Sequence, residues 1–190
     1  MNIPSKASIF PVLVILSGQP SSSAAGVSNG FDAVASSSAP ETAYPCQHPD
    51  EFREFDFWVG EWEVHNAGGQ LAGTNVIEAA QKGCVLVEHW QSAAGGTGTS
   101  MNYLDKTSGE WVQIWIDGGG RQIDIRGGLT EEGMLLAGQI HYTANGTTLP
   151  FRGLWTPLSD GRVRQLFEQS SDNGETWQPW FEGFYSRIAR

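Results

Sequence analysis

From Trp58 to the C-terminus, no run of residues keeps the spacing of an amphipathic helix for more than a couple of turns. Instead, β-branched and aromatic residues alternate with polar ones, and Gly, Asn or Asp recur at intervals of about ten residues. A period of two puts successive side chains on opposite faces, so a chain patterned this way folds as sheet. The intervening turns carry their own chemistry. Asn66-Ala67-Gly68-Gly69, Gly118-Gly119-Gly120, Asn145-Gly146, Asp160-Gly161 and Asn173-Gly174 supply residues that tolerate the positive φ of tight hairpins. The pattern predicts ten strands, at 58–66, 71–80, 84–92, 98–105, 111–117, 121–127, 134–142, 148–156, 162–169 and 176–187. Closing such strands into a single antiparallel up-and-down β-barrel removes the unpaired edges that a sandwich would leave. The expected fold class is all-β.

The first predicted strand begins in Phe55-Asp56-Phe57-Trp58-Val59-Gly60-Glu61-Trp62-Glu63-Val64. On a strand Trp58, Gly60, Trp62 and Val64 would share one face, and Gly60 would clear space between the indoles for a bend or a close backbone crossing. Gly60-Glu61-Trp62 resembles the GxW signature of the calycin group, which includes lipocalins and nitrobindins. The longer run is more specific: with Gly83-Cys84-Val85-Leu86-Val87-Glu88, Trp111-Val112-Gln113-Ile114-Trp115, Gly161-Arg162-Val163-Arg164-Gln165 and Ser171-Asp172-Asn173-Gly174-Glu175-Thr176-Trp177, it resembles a bacterial family marked by FDFWxGxW. The resemblance implies a calycin-like barrel and names no activity. It also makes Arg187 the counterpart of the arginine that lies over the GxW tryptophan in many lipocalins, a structural cation–π contact with Trp62. Nitrobindins hold haem with a histidine on a late strand; here no histidine follows His141, so no cofactor is expected.

Met1 to Lys6 is a short polar start with one positive charge, Ala7 to Leu16 is mostly apolar, and Ser23-Ala24-Ala25 offers small residues for cleavage. This reads as a secretory signal over residues 1–25, with a disordered cytoplasmic tail as the alternative. The apolar run is too short to span a bilayer, and no cysteine follows it closely enough for a lipid anchor. Residues 26–45, rich in Ser, Ala, Gly and Pro, read as linker, which leaves 46–190 for one barrel domain. The formal net charge is −10 and there is no Lys/Arg cluster, so a nucleic-acid partner is not expected. Cys46 and Cys84 fit an oxidising compartment, secreted or periplasmic, and a disulfide between them would tie the lead segment to the third strand. The alternative is two free thiols.

Candidate chemistry lies where polar residues share a strand face with tryptophan. Cys84, Leu86, Glu88 and Trp90 are in one register, as are Trp111, Gln113, Trp115 and Asp117, whereas Val112, Ile114 and Ile116 form an apolar row on the opposite face. One set lines the lumen and the other packs elsewhere. The inward placement of the indole and polar set is the favoured one, because Glu and Gln amid indoles are hard to explain as solvent surface. Glu88, Trp90, Gln113, Trp115 and Asp117 then describe a pocket for a small aromatic or amphipathic ligand, with Arg164 as a guanidinium reaching in from a late strand. The alternative function is a cofactor-independent isomerase, cyclase or lyase, with Glu88 as general acid or base and Asp117 or Arg164 orienting the substrate. His48, His65, His89 and His141 fall in no metal-binding spacing. Ser170 to Trp177 matches SxDxGxTW, the hairpin of sialidase propellers; a single copy is a folding device for a turn.

Overall fold

A computed structural model of the chain describes residues 44–189, so the predicted signal and nearly all of the linker lie outside the described residues. The chain divides into two compact units, and the second, Ala39–Arg190, carries everything described below. It contains ten strands: β1 (Gly60–Asn66), β2 (Leu71–Ala80), β3 (Val85–Ser92), β4 (Thr97–Asp105), β5 (Glu110–Asp117), β6 (Arg121–Thr130), β7 (Gly133–Tyr142), β8 (Thr147–Pro157), β9 (Val163–Gln169) and β10 (Gln178–Arg187). Each pairs antiparallel with the next, and β1 pairs with β10 to close the barrel. All-β, up-and-down and closed is the architecture that the alternation predicts. Among the described residues no helix is long and apolar enough to cross a membrane.

The first strand is shorter than its sequence pattern. Asp56–Trp58 is a 3-10 turn, and β1 starts only at Gly60, so Trp58 does not continue the strand face of Trp62. With a second such turn at Asp50–Phe52, the lead segment folds into one end of the barrel as a plug. Phe55 and Trp58 are fully buried there. The Phe55 ring stacks on Trp58 at 5.1 Å and meets Trp111 and Trp155 edge-on at 5.6 and 5.2 Å. These are the residues at the ends of β5 and β8 nearest the plug. Such rings bury large areas and gain about 0.5–1.5 kcal/mol per pair beyond area alone.

Several bonds hold the plug down. Cys46 and Cys84 form a disulfide. Arg53 donates to the carbonyls of Cys46 and Gly83 at 3.1 and 2.7 Å, Trp111 Nε1 donates to Glu54 at 3.1 Å, and Lys106 pairs with Glu51 at 2.5 Å. Trp62 Nε1 donates to the Trp58 carbonyl at 2.8 Å, while the Arg187 guanidinium lies 4.3 Å from the Trp62 ring and bonds the Val59 carbonyl at 3.1 Å. The φ of +146° at position 60 is one that residues with a Cβ rarely adopt, so glycine is required there, and a Cβ would also displace that guanidinium.

The registers decide which face is luminal. Trp62 and Val64, Asn75 and Ile77, Leu86 and Glu88, Ser100 and Asn102, and Gln113 and Trp115 all point inward and are buried. The apolar row of β5 points out: Val112 is covered, Ile114 half-buried and Ile116 52% exposed.

Candidate functional site

Away from the plug, the lumen is not filled. A cavity of about 860 Å³ lies within the barrel and reaches the opposite end, where the β3–β4 turn (Ala94, Gly95, Gly96) and the β5–β6 turn (Gly118, Gly119) form its rim. Its walls are aromatic: Trp90, Trp115, Phe167, Trp180 and Phe181. Glycines on neighbouring strands make room for them. A Cβ on Gly98 would sit 2.4 Å from the Trp115 ring, and one on Gly73 would sit 2.8 Å from Trp90, so each indole lies flat against bare backbone. Trp180 and Phe181 are consecutive yet both face the cavity, because a bulge between Pro179 and Phe181 breaks the alternation of β10. Trp180 is fixed by its Nε1 bond to Tyr142 Oη at 3.0 Å, and Tyr142 bonds Gln169 at 2.6 Å.

Glu88 forms part of the floor and is only 4% exposed. Its two carboxylate oxygens accept from Asn75 Nδ2 and from Ser100 Oγ, each at 2.7 Å. Behind Ser100, Asn102 Nδ2 donates to its Oγ at 2.8 Å, and Gln113 Nε2 donates to Asn102 Oδ1 at 2.8 Å. On the other side Asn75 reaches Tyr185 Oη at 3.4 Å, and Tyr185 donates to Gln165. A belt of buried polar side chains from β5, β4, β3, β2, β10 and β9 thus runs round the lumen, and Glu88 is its acceptor terminus. Burial raises the Glu88 pKa above the usual carboxylate value; the bonds from Ser100 and Asn75 and the charge of His89 oppose that rise without cancelling it. Tyr185 is pushed well above its ordinary value, first by burial and then by the neighbouring Glu88 charge.

Of the residues singled out from sequence, Glu88, Trp90 and Trp115 line the cavity together. Gln113 is inward but lies deeper, spent on Asn102. Asp117 stands at the rim with its carboxylate engaged: Oδ1 accepts from the backbone amides of Gly119 and Arg121 at 2.9 and 2.8 Å, and Oδ2 pairs with the Arg121 guanidinium. Arg164 requires a correction. It points out of the barrel and pairs with Glu182 at 2.7 Å, because the inward parity of β9 belongs to Val163, Gln165 and Phe167. Cavity residues not anticipated as site residues are Trp180, Phe181, Phe167, Gln165 and Tyr185, joined through the belt by Asn75 and Ser100. Parity alone points Gln165 and Phe167 inward once β9 is oriented; the bulge at Trp180 leaves no such signal.

The SxDxGxTW hairpin is a turn device. Asp172 accepts from Ser170 Oγ at 2.7 Å, from the Thr176 amide at 2.8 Å and from Thr176 Oγ1 at 2.6 Å, which lowers its pKa to about 2. Among the described residues no group of three or more His, Cys, Asp or Glu is placed to hold a metal ion. Comparison with known proteins adds no assignment: no protein-family model matches the chain, and no curated protein matches it.

Proposed function

We propose that this is a calycin-like binding module that holds a small aromatic or amphipathic ligand in its lumen, apolar body against the indoles and polar end toward Glu88. One observation carries the reading: an 860 Å³ space is kept open above a buried carboxylate and between aromatic walls, in a barrel whose other end is packed solid. Small-molecule sites have about this size and this mixture of apolar wall and few polar groups. A secreted or periplasmic location fits the disulfide and the N-terminal pattern, and is tested by cell fractionation with thiol labelling. Trp90, Trp115 and Trp180 supply an intrinsic probe. A metabolite screen by tryptophan fluorescence yields quenching or a shift that Trp115→Phe diminishes. A screen silent across chemical classes moves the protein to a scaffold or interaction role.

A second reading, a cofactor-independent isomerase, cyclase or lyase, is favoured by Glu88 itself: a carboxyl with a raised pKa at the edge of an aromatic cavity is suited to proton transfer near neutrality. It is tested by incubating each ligand found with wild type and Glu88→Gln and following product by NMR. Turnover lost with affinity kept favours catalysis; a change in affinity alone makes the carboxylate a binding group.

A further inference from the structure

We infer that the lumen selects an organic cation, a protonated amine or quaternary ammonium carried on an aromatic or aliphatic body, with its positive charge over Glu88 and its body against Trp90, Trp115 and Trp180. This rests on the lumen-binding reading above and gives it a ligand class.

Charge is the first argument. Three charged residues line the cavity, Glu88, Asp117 and Arg121, and the last two neutralise each other in the rim. No ion pair among the described residues includes Glu88. The floor therefore offers one buried carboxylate on which the charge of His89 acts but with which no cation of the described residues forms an ion pair, an arrangement that costs stability until something positive arrives.

The direction of the hydrogen bonds is the second. Gln113 donates to Asn102, Asn102 to Ser100, and Ser100 to Glu88, while Asn75 donates from the other side. Asn102 also donates to the Leu86 carbonyl and Asn75 also reaches Tyr185 Oη, but both bonds that Glu88 itself makes are donated to it, so the network is ordered around an acceptor and favours its ionised form. A ligand anion would meet that charge as a like charge in a low-dielectric lumen. A ligand ammonium supplies both a donor and the missing charge.

The walls are the third. Aromatic faces are electron-rich and attract cations within about 6 Å of the ring centroid. One wall already does so within the protein, where the Arg121 guanidinium lies 5.3 Å from the Trp180 ring. The formal net charge of −10 adds attraction at long range.

Linkage gives the inference a pH signature. Because burial holds the Glu88 pKa above the usual carboxylate range, a bound cation draws that proton off, and cation affinity rises with pH through the interval up to the raised value. The groups facing Glu88 are Asn75 on β2, Ser100 on β4 and Tyr185 on β10; Tyr185 titrates far above this interval. His89, adjacent on β3, is the other titratable neighbour, and it is retained in the variant that serves as control.

The test uses three probes of similar shape, 2-phenylethylammonium, 2-phenylethanol and 3-phenylpropionate, titrated against the full chain by tryptophan fluorescence and calorimetry. The expected result is that the ammonium binds about tenfold or more tighter than the alcohol and the carboxylate weakest. In Glu88→Gln the ammonium loses its advantage, and the ammonium-to-alcohol affinity ratio falls to about one. The ammonium-to-alcohol ratio rises with pH in wild type and is flat in the variant, which separates Glu88 from His89. Alcohol binding equal to ammonium binding, a carboxylate preference, or a preference surviving in Glu88→Gln overturns the cation assignment and leaves the lumen-binding reading standing. Silence from all three probes together with a silent metabolite screen overturns both. If Glu88→Gln does not fold, the ratio against pH is measured in His89→Gln instead: a rise supports the assignment and a flat ratio refutes it.

Discussion

Removing the Cys46–Cys84 bond, by reduction or by the double substitution to alanine, isolates what the plug's tether contributes. The two cysteines are 38 residues apart, and on the chain-entropy model opening a loop of that size costs about 4 kcal/mol. For a domain this large each kcal/mol shifts the midpoint by about 3–4 °C, so the predicted fall in Tm is about 12–16 °C. The native plug stays seated, because the Arg53 bonds to Cys46 and Gly83, the Trp111–Glu54 bond and the Lys106–Glu51 pair do not depend on the sulfurs. Calorimetric melts with and without reductant measure the shift, and near-ultraviolet circular dichroism reports whether Phe55, Trp58 and Trp111 keep their packing. The Cα atoms are 5.0 Å apart and both sit at the plugged end, so affinity for a lumen ligand at the other end is unchanged. A Tm fall below about 3 °C refutes the entropy argument, since it means the unfolded chain gains little freedom. Lost lumen affinity refutes the independence of the two ends.

Four further outcomes follow from side-chain geometry. Glu88→Gln gains stability relative to wild type as pH rises: the native carboxyl holds its proton above its unfolded pKa, so wild-type stability falls through the interval up to the raised value, and urea melts across that interval show the gap widening. Gly98→Val drives a side chain into the Trp115 ring, costs about 1–3 kcal/mol by overpacking and swings the indole into the cavity, read as lost lumen affinity and a lower urea midpoint. Arg164→Ala leaves lumen binding intact and costs under about 1 kcal/mol, because its pair with Glu182 is one-third exposed on the outer wall. The Asp172 carboxyl titrates at about 2 by NMR, so its contribution is present above the ordinary aspartate range and is lost only as pH falls toward that value.

The sequence made the strands and turns readable because period-two alternation and glycine or asparagine turns are local signals, and the luminal face followed from Glu and Gln sharing register with indoles. What stayed hidden is non-local. Trp58 reads as strand by parity, yet its ring goes into the plug because Phe55, Trp111 and Trp155 meet it there. Trp180 and Phe181 read as opposite faces until the bulge turns both inward. Asn75, Ser100, Asn102 and Tyr185 are polar residues scattered over three strands of otherwise ordinary pattern, and only the registers Ile77↔Glu88 and Glu88↔Ser100 bring them round one carboxylate. Arg164 misled for the converse reason: a guanidinium near the end of the chain invites pairing with Glu88, but its own strand's parity sends it to Glu182.

Both ends of the described chain leave the barrel on the plugged side. Tyr44 lies beside Lys82 at the β2–β3 turn, and the Ile188 amide bonds the Glu61 carbonyl at the start of β1. A surface or fluorescent partner attached directly at residue 44 or at residue 189 therefore starts from the end opposite the mouth. An immobilised sensor made from residues 44–189 would be held by its plugged end, with a short linker there kept away from the opening.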